Sequence, residues 1–173
     1  MTLDKDLQSI QAARELLKQA KQAQAQFALF SQEKVDSIVA HIATEAARHS
    51  EELAKMAHEE TGFGRWQDKV LKNTFASTKV HEHIQSIKTI GIISDDPVNK
   101  VMEVGVPLGV IAALVPSTNP TSTIFYKTLI ALKAGNAIIF SPHPNAKACS
   151  QKAIELVKRA ALEAGAPVGI ADG

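Results

Sequence analysis

Only one cysteine, Cys149, occurs in 173 residues, so no intramolecular disulfide can form. The expected location is therefore the reducing cytoplasm. Charge of one sign is equally scarce. Nineteen lysines and arginines face 18 aspartates and glutamates, which excludes the basic footprint that nucleic acid or an anionic membrane would need. The longest apolar stretch, 104–116, is broken by Gly105, Pro107 and Gly109 and is too short to span a bilayer. Asp4 and Asp6 precede any apolar run, so the start does not read as a secretory signal. Gly62-Phe63-Gly64 lacks the third glycine of a dinucleotide fingerprint and reads as a helix stop and turn. No internal repeat or low-complexity linker divides the chain. What is present is 45% hydrophobic content, enough at this length for one core.

The stretch that organises the rest is 105–144, GVPLGVIAALVPSTNPTSTIFYKTLIALKAGNAIIFSPHP. Gly109 to Leu114 is a short β-branched run ending at Val115-Pro116, and it predicts a buried strand. Asn119-Pro120 predicts a helix start, with Asn as cap and Pro at the first helical position. That helix would turn Ile124, Phe125, Leu129 and Leu132 inward and stop at Gly135. Ala137 to Phe140 predicts a second buried strand, cut off by Ser141-Pro142. The unit is βαβ, so its strands should be parallel. Ligands of open α/β sheets bind beyond the carboxyl ends of the strands. Here those ends are Pro116-Ser117-Thr118-Asn119 and Ser141-Pro142-His143-Pro144, each followed by a helix start whose N–H groups attract anions. The two loops are either a ligand site or ordinary connections.

Elsewhere, residues 3–28 read as an amphipathic helix with Leu3, Leu7, Ile10, Ala13, Leu17 and Ala20 at three- and four-residue steps. It either packs on its own domain or binds a partner. Ser31 caps a second helix with Val35, Ile38, Val39 and Ile42 on its stripe. A third runs from Glu51 to Glu60. Arg65 to Ile87 reads as one long helix with Trp66, Val70, Leu71, Phe75, Val80 and Ile84 on the apolar side. His81 and His83 would point about 200° apart on it, so a solvated helix end is expected and no metal site. Residues 89–94 and 100–106 flank the turn Asp95-Asp96-Pro97 and predict a β-hairpin. Asn145 then caps a last helix to about Glu163, with Cys149, Ala153, Leu156 and Ala160 on one face. Cys149 lies among these apolar residues without a base at a motif spacing, and so reads as a small buried hydrophobe.

VPSTNPTSTIFYKTLIALKAGNAIIFSPHP, together with EETGFGRWQDKVLKN at 59–73, resembles the CoA-acylating aldehyde dehydrogenases, including the aldehyde half of bifunctional aldehyde-alcohol dehydrogenase and the acetaldehyde and sulfoacetaldehyde dehydrogenases. The similarity runs along nearly the whole chain. It implies an α/β fold: a helical layer on a parallel Rossmann-like sheet with a projecting hairpin. It further implies that 1–173 is the N-terminal part of the NAD(P)-binding domain, that hairpin 89–106 joins an oligomerisation sheet, and that the catalytic domain and its cysteine lie beyond this chain. The implied reaction takes an aldehyde, coenzyme A and NAD (NADP as the alternative), in a homo-oligomer.

Pro116, Ser117, Thr118 and Asn119 match the family's loop on the nicotinamide side. Thr118 aligns directly with the asparagine that serves hydrolytic relatives as oxyanion donor, and Asn119 stands one residue on. Asn119 is thus either a donor or only the helix cap. Ser141, Pro142 and His143 match the segment at the adenosine ribose. The lysine and glutamate of hydrolytic relatives are replaced here by Ser141 and Pro144, which fits a site used in turn by NAD and CoA. His143 could equally be a surface residue. The alternative class is a non-catalytic nucleotide-binding or assembly module.

Overall fold

The computed structural model describes residues 4–173; Leu3 lies outside them. Helix α1 (Lys5–Phe27) buries Ala20, Ala23 and Phe27, whereas Leu7, Ile10 and Leu17 stay 41–48% exposed. The periodicity identified the helix, but only its C-terminal half lies on the domain. An apolar stripe records a helix's face and not the extent of the surface beneath it. In α2 (Gln32–Arg48) the Ser31 hydroxyl accepts a hydrogen bond from the Lys34 N–H, and Val35, Ile38, Val39 and Ile42 are buried as expected. Helix α3 (Ser50–Thr61) ends at Gly62, whose φ of 68° is the left-handed conformation that suits glycine.

The predicted long helix is a single rod with a fault in it. Helix α4 (Trp66–Thr74) passes through a π turn (Phe75–Lys79) into α5 (Val80–Ile84). Its apolar side follows the pattern only in part: Val80 and Ile84 pack against the core, whereas the α4 positions turn out differently. Leu71 and Phe75 are 71% and 63% exposed, while Lys69, Asn73, Ala76 and Ser77 are buried. The inward face is thus partly polar: Asn73 bonds to α3 and α6, Lys69 to the Thr118 carbonyl before α6, and Ser77 to carbonyls of its own rod.

The hairpin forms, but its turn lies later than predicted: Asp95 and Asp96 are paired in the first strand and 97–100 make the turn. Strands β1 (Gly91–Asp96) and β2 (Val101–Gly105) pair antiparallel and lie exposed on both faces. In the turn, Asp96 Oδ1 accepts from the N–H groups of Val98 and Asn99 at 3.0 Å each. The hairpin is tethered at its base, where the N–H groups of Thr89 and Ile90 donate to Gln32 Oε1.

Behind it lies a parallel sheet in the order β3 (Val110–Val115), β4 (Ala137–Pro142), β5 (Ala171–Asp172). The first crossover is α6 (Pro120–Lys133), with Ile124, Phe125, Leu129 and Leu132 fully buried, and it closes on Gly135 at φ 75°. The second is α7 (Lys147–Glu163), preceded by a 3-10 turn at Pro144–Ala146. Strand β4 is covered on both faces, by α1 on one and by α6 and α7 on the other; α2 packs across α6 and α7. Strand β3 departs from the expected burial. It is the edge strand, and Leu114 is 74% exposed on its open face. Among the described residues no helix is long and apolar enough to cross a membrane.

Candidate functional site

The register of β3 on β4 decides where the two loops fall. Val115 lies opposite Pro142, and the His143 N–H donates to the Val115 carbonyl at 2.9 Å. Residues 116–119 and 141–143 therefore leave the same rim of the sheet side by side. Pro116, Thr118, Ser141 and His143 are exposed there, and Ser117, Asn119 and Pro142 are half-buried.

Both helix starts at this rim differ from the expected capping. Asn119 occupies the cap position of α6, but its side chain accepts no hydrogen bond from the helix. Its Oδ1 accepts instead from Lys72 Nζ at 2.9 Å, and its Nδ2 donates to Thr118 Oγ1 at 3.4 Å. A lysine one helix away outcompetes the local N–H groups, because a charged donor makes the stronger bond. Asn145 does not cap α7 either. The carboxylate of Glu60, from the end of α3, accepts from the Ala148 and Cys149 N–H groups at 2.8 and 2.7 Å. Burial alone would raise the pKa of Glu60. The hydrogen bonds from the Cys149 thiol and from the N–H groups of Cys149, Ala148 and Lys147 outweigh it and hold the carboxyl below its usual range. The anion-binding end of α7 is thus already filled by an internal anion.

His143 caps only the short turn. Its Nδ1 accepts from the Asn145 N–H at 3.1 Å, so in the neutral ring Nε2 carries the proton and is a donor. Cys149 is fully buried, and burial together with the adjacent Glu60 carboxylate pushes its pKa up to about 12. Such a thiol stays protonated and inert.

The residues that sequence reasoning missed lie on α4. Lys69, 4% exposed, donates from Nζ to the Thr118 carbonyl at 2.8 Å. Asn73, fully buried, donates to the Ser50 carbonyl at 2.9 Å and accepts from Thr121 Oγ1 at 2.8 Å. Three residues on one face of α4 (69, 72 and 73) therefore grip 118–121. A cleft of about 720 Å³ opens beside them, lined by Leu71, Phe75, Ala76, Asn119, Ser122 and Tyr126. It accounts for the exposed Leu71 and Phe75, whose apolar side chains form its wall.

The aldehyde dehydrogenase family model matches residues 6–171. The chain belongs to that family. This family member is 47% identical over 152 residues to the bifunctional aldehyde-alcohol dehydrogenase of Escherichia coli K12, covering 88% of this chain and 17% of that protein. It superposes on an acetylating aldehyde dehydrogenase from Geobacillus thermoglucosidasius with a TM-score of 0.96 at 48% identity, covering 98% of this chain and 38% of that one. A propionaldehyde dehydrogenase from Rhodopseudomonas palustris, with bound CoA and an acylated cysteine, matches with a TM-score of 0.74 at 30% identity over 91% of this chain and 36% of that one. The α/β aldehyde dehydrogenase fold and the acylating relatives agree with the resemblance read from the sequence.

Proposed function

We propose that this chain is the cofactor-binding portion of a CoA-acylating aldehyde dehydrogenase, within the N-terminal part (1–173) of its NAD(P)-binding domain. The reaction is aldehyde + CoA + NAD⁺ → acyl-CoA + NADH + H⁺. The observation that carries this reading is the bond from the His143 N–H to the Val115 carbonyl, which sets the two loops on one rim.

In this reading Pro116, Ser117 and Thr118 line the nicotinamide side, and Ser141, Pro142 and His143 line the adenosine side. The donors fit a ribose: a hydroxyl at Ser141 and the Nε2 proton of His143 suit sugar hydroxyls, and the loop carries no cation for a phosphate. The adenine and ribose 2′-hydroxyl of CoA can use the same neutral donors, provided its 3′-phosphate points away from 141–143, so cofactor and co-substrate can follow one another there. When bound, the nicotinamide nucleotide supplies the hydride acceptor. Thr118 and Asn119 stand on the oxyanion side, where hydrogen-bond donors stabilise charge developing on the aldehyde oxygen. The cleft beside Asn119 takes the aldehyde's carbon chain against Leu71 and Phe75. The nucleophilic thiol is supplied from outside these 173 residues, a reading supported by the burial and raised pKa of Cys149. Hairpin 89–106, exposed on both faces, joins the oligomerisation sheet of a homo-oligomer.

The test has two parts. The isolated chain should bind NAD⁺ by calorimetry and produce no NADH from aldehyde, CoA and NAD⁺. Turnover by the chain that survives Cys149→Ala, or failure to bind NAD⁺ and CoA alongside stable self-association, would overturn the reading; the latter result would favour an assembly module.

A further inference from the structure

Among the described residues two lysines are almost fully buried, and they are treated differently. Lys133, 2% exposed, pairs with the Asp36 carboxylate at 2.5 Å. Lys69, 4% exposed, has a neutral peptide oxygen, the Thr118 carbonyl, as its partner. Burying a cation without a counter-ion is costly, and an uncharged donor would satisfy a carbonyl with less desolvation. Fold stability alone therefore gives no account of the charge.

The geometry of the peptide does. A trans peptide is planar, and its C=O and N–H point in opposite directions. No cis peptide occurs among the described residues. Drawing the Thr118 oxygen onto α4 turns the Asn119 N–H away from α4. Lys72 meanwhile pulls the Asn119 side chain toward α4 by its Oδ1. A cation on the carbonyl oxygen also withdraws electron density through the amide, making the N–H on the other side a stronger donor.

We propose that Lys69 is a positioning residue, whose ammonium aims and polarises the Thr118–Asn119 peptide so that the Asn119 N–H becomes a donor to the oxyanion formed from an aldehyde at this loop. The inference rests on the acylating dehydrogenase reading above. The titratable groups around Lys69 are Lys72 on its own helix and the Cys149 thiol from α7, with the α3 carboxylate of Glu60 hydrogen-bonded beside Cys149. Burial first, and Lys72 second, push the Lys69 pKa below its ordinary value. The ammonium is charged below that pKa and neutral above it, so the polarising effect disappears as pH rises.

The experiment uses Lys69→Met and Lys69→Arg in the enzyme that carries this chain, with steady-state NADH formation followed against pH. K69M should lower kcat about 10-fold or more while KM changes little, the pattern of an interaction made in the transition state. K69R should keep most of the activity and lose the alkaline decline of kcat/KM, because guanidinium does not titrate in that range. An unchanged kcat in K69M, or identical alkaline limbs in K69R and wild type, would overturn the proposal. A second measurement needs no activity. A carbon-detected NMR spectrum correlating the Thr118 carbonyl carbon with the Asn119 nitrogen should shift on alkaline titration of the wild-type chain and stay flat in K69R. A flat wild-type titration also overturns the proposal, even if K69M fails to fold. Should the wild-type enzyme form no acyl-CoA while this resonance titrates, the functional reading fails and the coupling of Lys69 to the peptide stands.

Discussion

Glu60 holds the start of α7 by giving one carboxylate oxygen to the N–H of Ala148 and the other to the N–H of Cys149. Glu60 and Ala148 are 88 positions apart in sequence, and their bond replaces the local cap.

Replacing Glu60 with alanine should therefore cost about 1–2 kcal/mol, the range for loss of a helix N-cap, read as a lower urea midpoint with an unchanged slope. The pH dependence has a definite sign. The folded-state pKa is depressed, so the contribution is complete above the unfolded value of about 4.3 and is lost as pH falls through the folded pKa. Glu60→Gln should flatten this acid-side loss of stability; equal acid sensitivity in both proteins would contradict the assignment.

Asn73 bridges the Ser50 carbonyl on one side and the Thr121 hydroxyl on the other, with no exposure to water. Asn73→Leu would strand both partners in the interior. We expect about 2–3 kcal/mol of destabilisation, the cost of buried groups left unsatisfied, measured by chemical denaturation. A loss below about 0.5 kcal/mol, the usual size for a surface change, would mean that water replaces the bridge.

Cys149 should resist a thiol reagent at pH 8 in the folded chain and react once on unfolding. Its burial and its pKa of about 12 both suppress the thiolate. Rapid labelling of the native chain would show that α7 opens at this end.

Lys100 adopts φ 55° in the hairpin turn, a left-handed conformation that costs a residue with a Cβ about 1–2 kcal/mol. Lys100→Gly should slow hydrogen exchange of the hairpin amides, corresponding to about 1 kcal/mol of relieved strain. No change in protection would indicate that the turn is already relaxed in solution.

The βαβ unit was legible because each of its signals is local. A β-branched run, a proline at a helix start and a glycine at a helix end each act within a few residues, and all three sit where the pattern put them. The grip of α4 on the loop was not legible. Lys69 meets Thr118 across 49 positions and Asn73 meets Thr121 across 48, and no short-range pattern encodes such a pairing. Local rules also favoured Asn119 and Asn145 as caps, and each lost to a charged side chain from another helix. The pattern places Leu71 and Phe75 on the apolar side of a helix, but hydrophobicity marks a side chain that avoids water without saying whether protein or a ligand cleft covers it.

The π turn between α4 and α5 changes what a shortened gene could encode. Each α-helical residue advances the face by about 100°, and a π turn accommodates one residue more than an α turn. Deleting a single residue within 75–79 would leave a perfectly regular rod. That rod would still turn Val80 and Ile84 toward the interior they now adjoin, because the π turn takes up the extra residue within a single turn. The irregularity thus lets the rod carry one more residue while the half that grips the loop and the half that anchors it keep a common face.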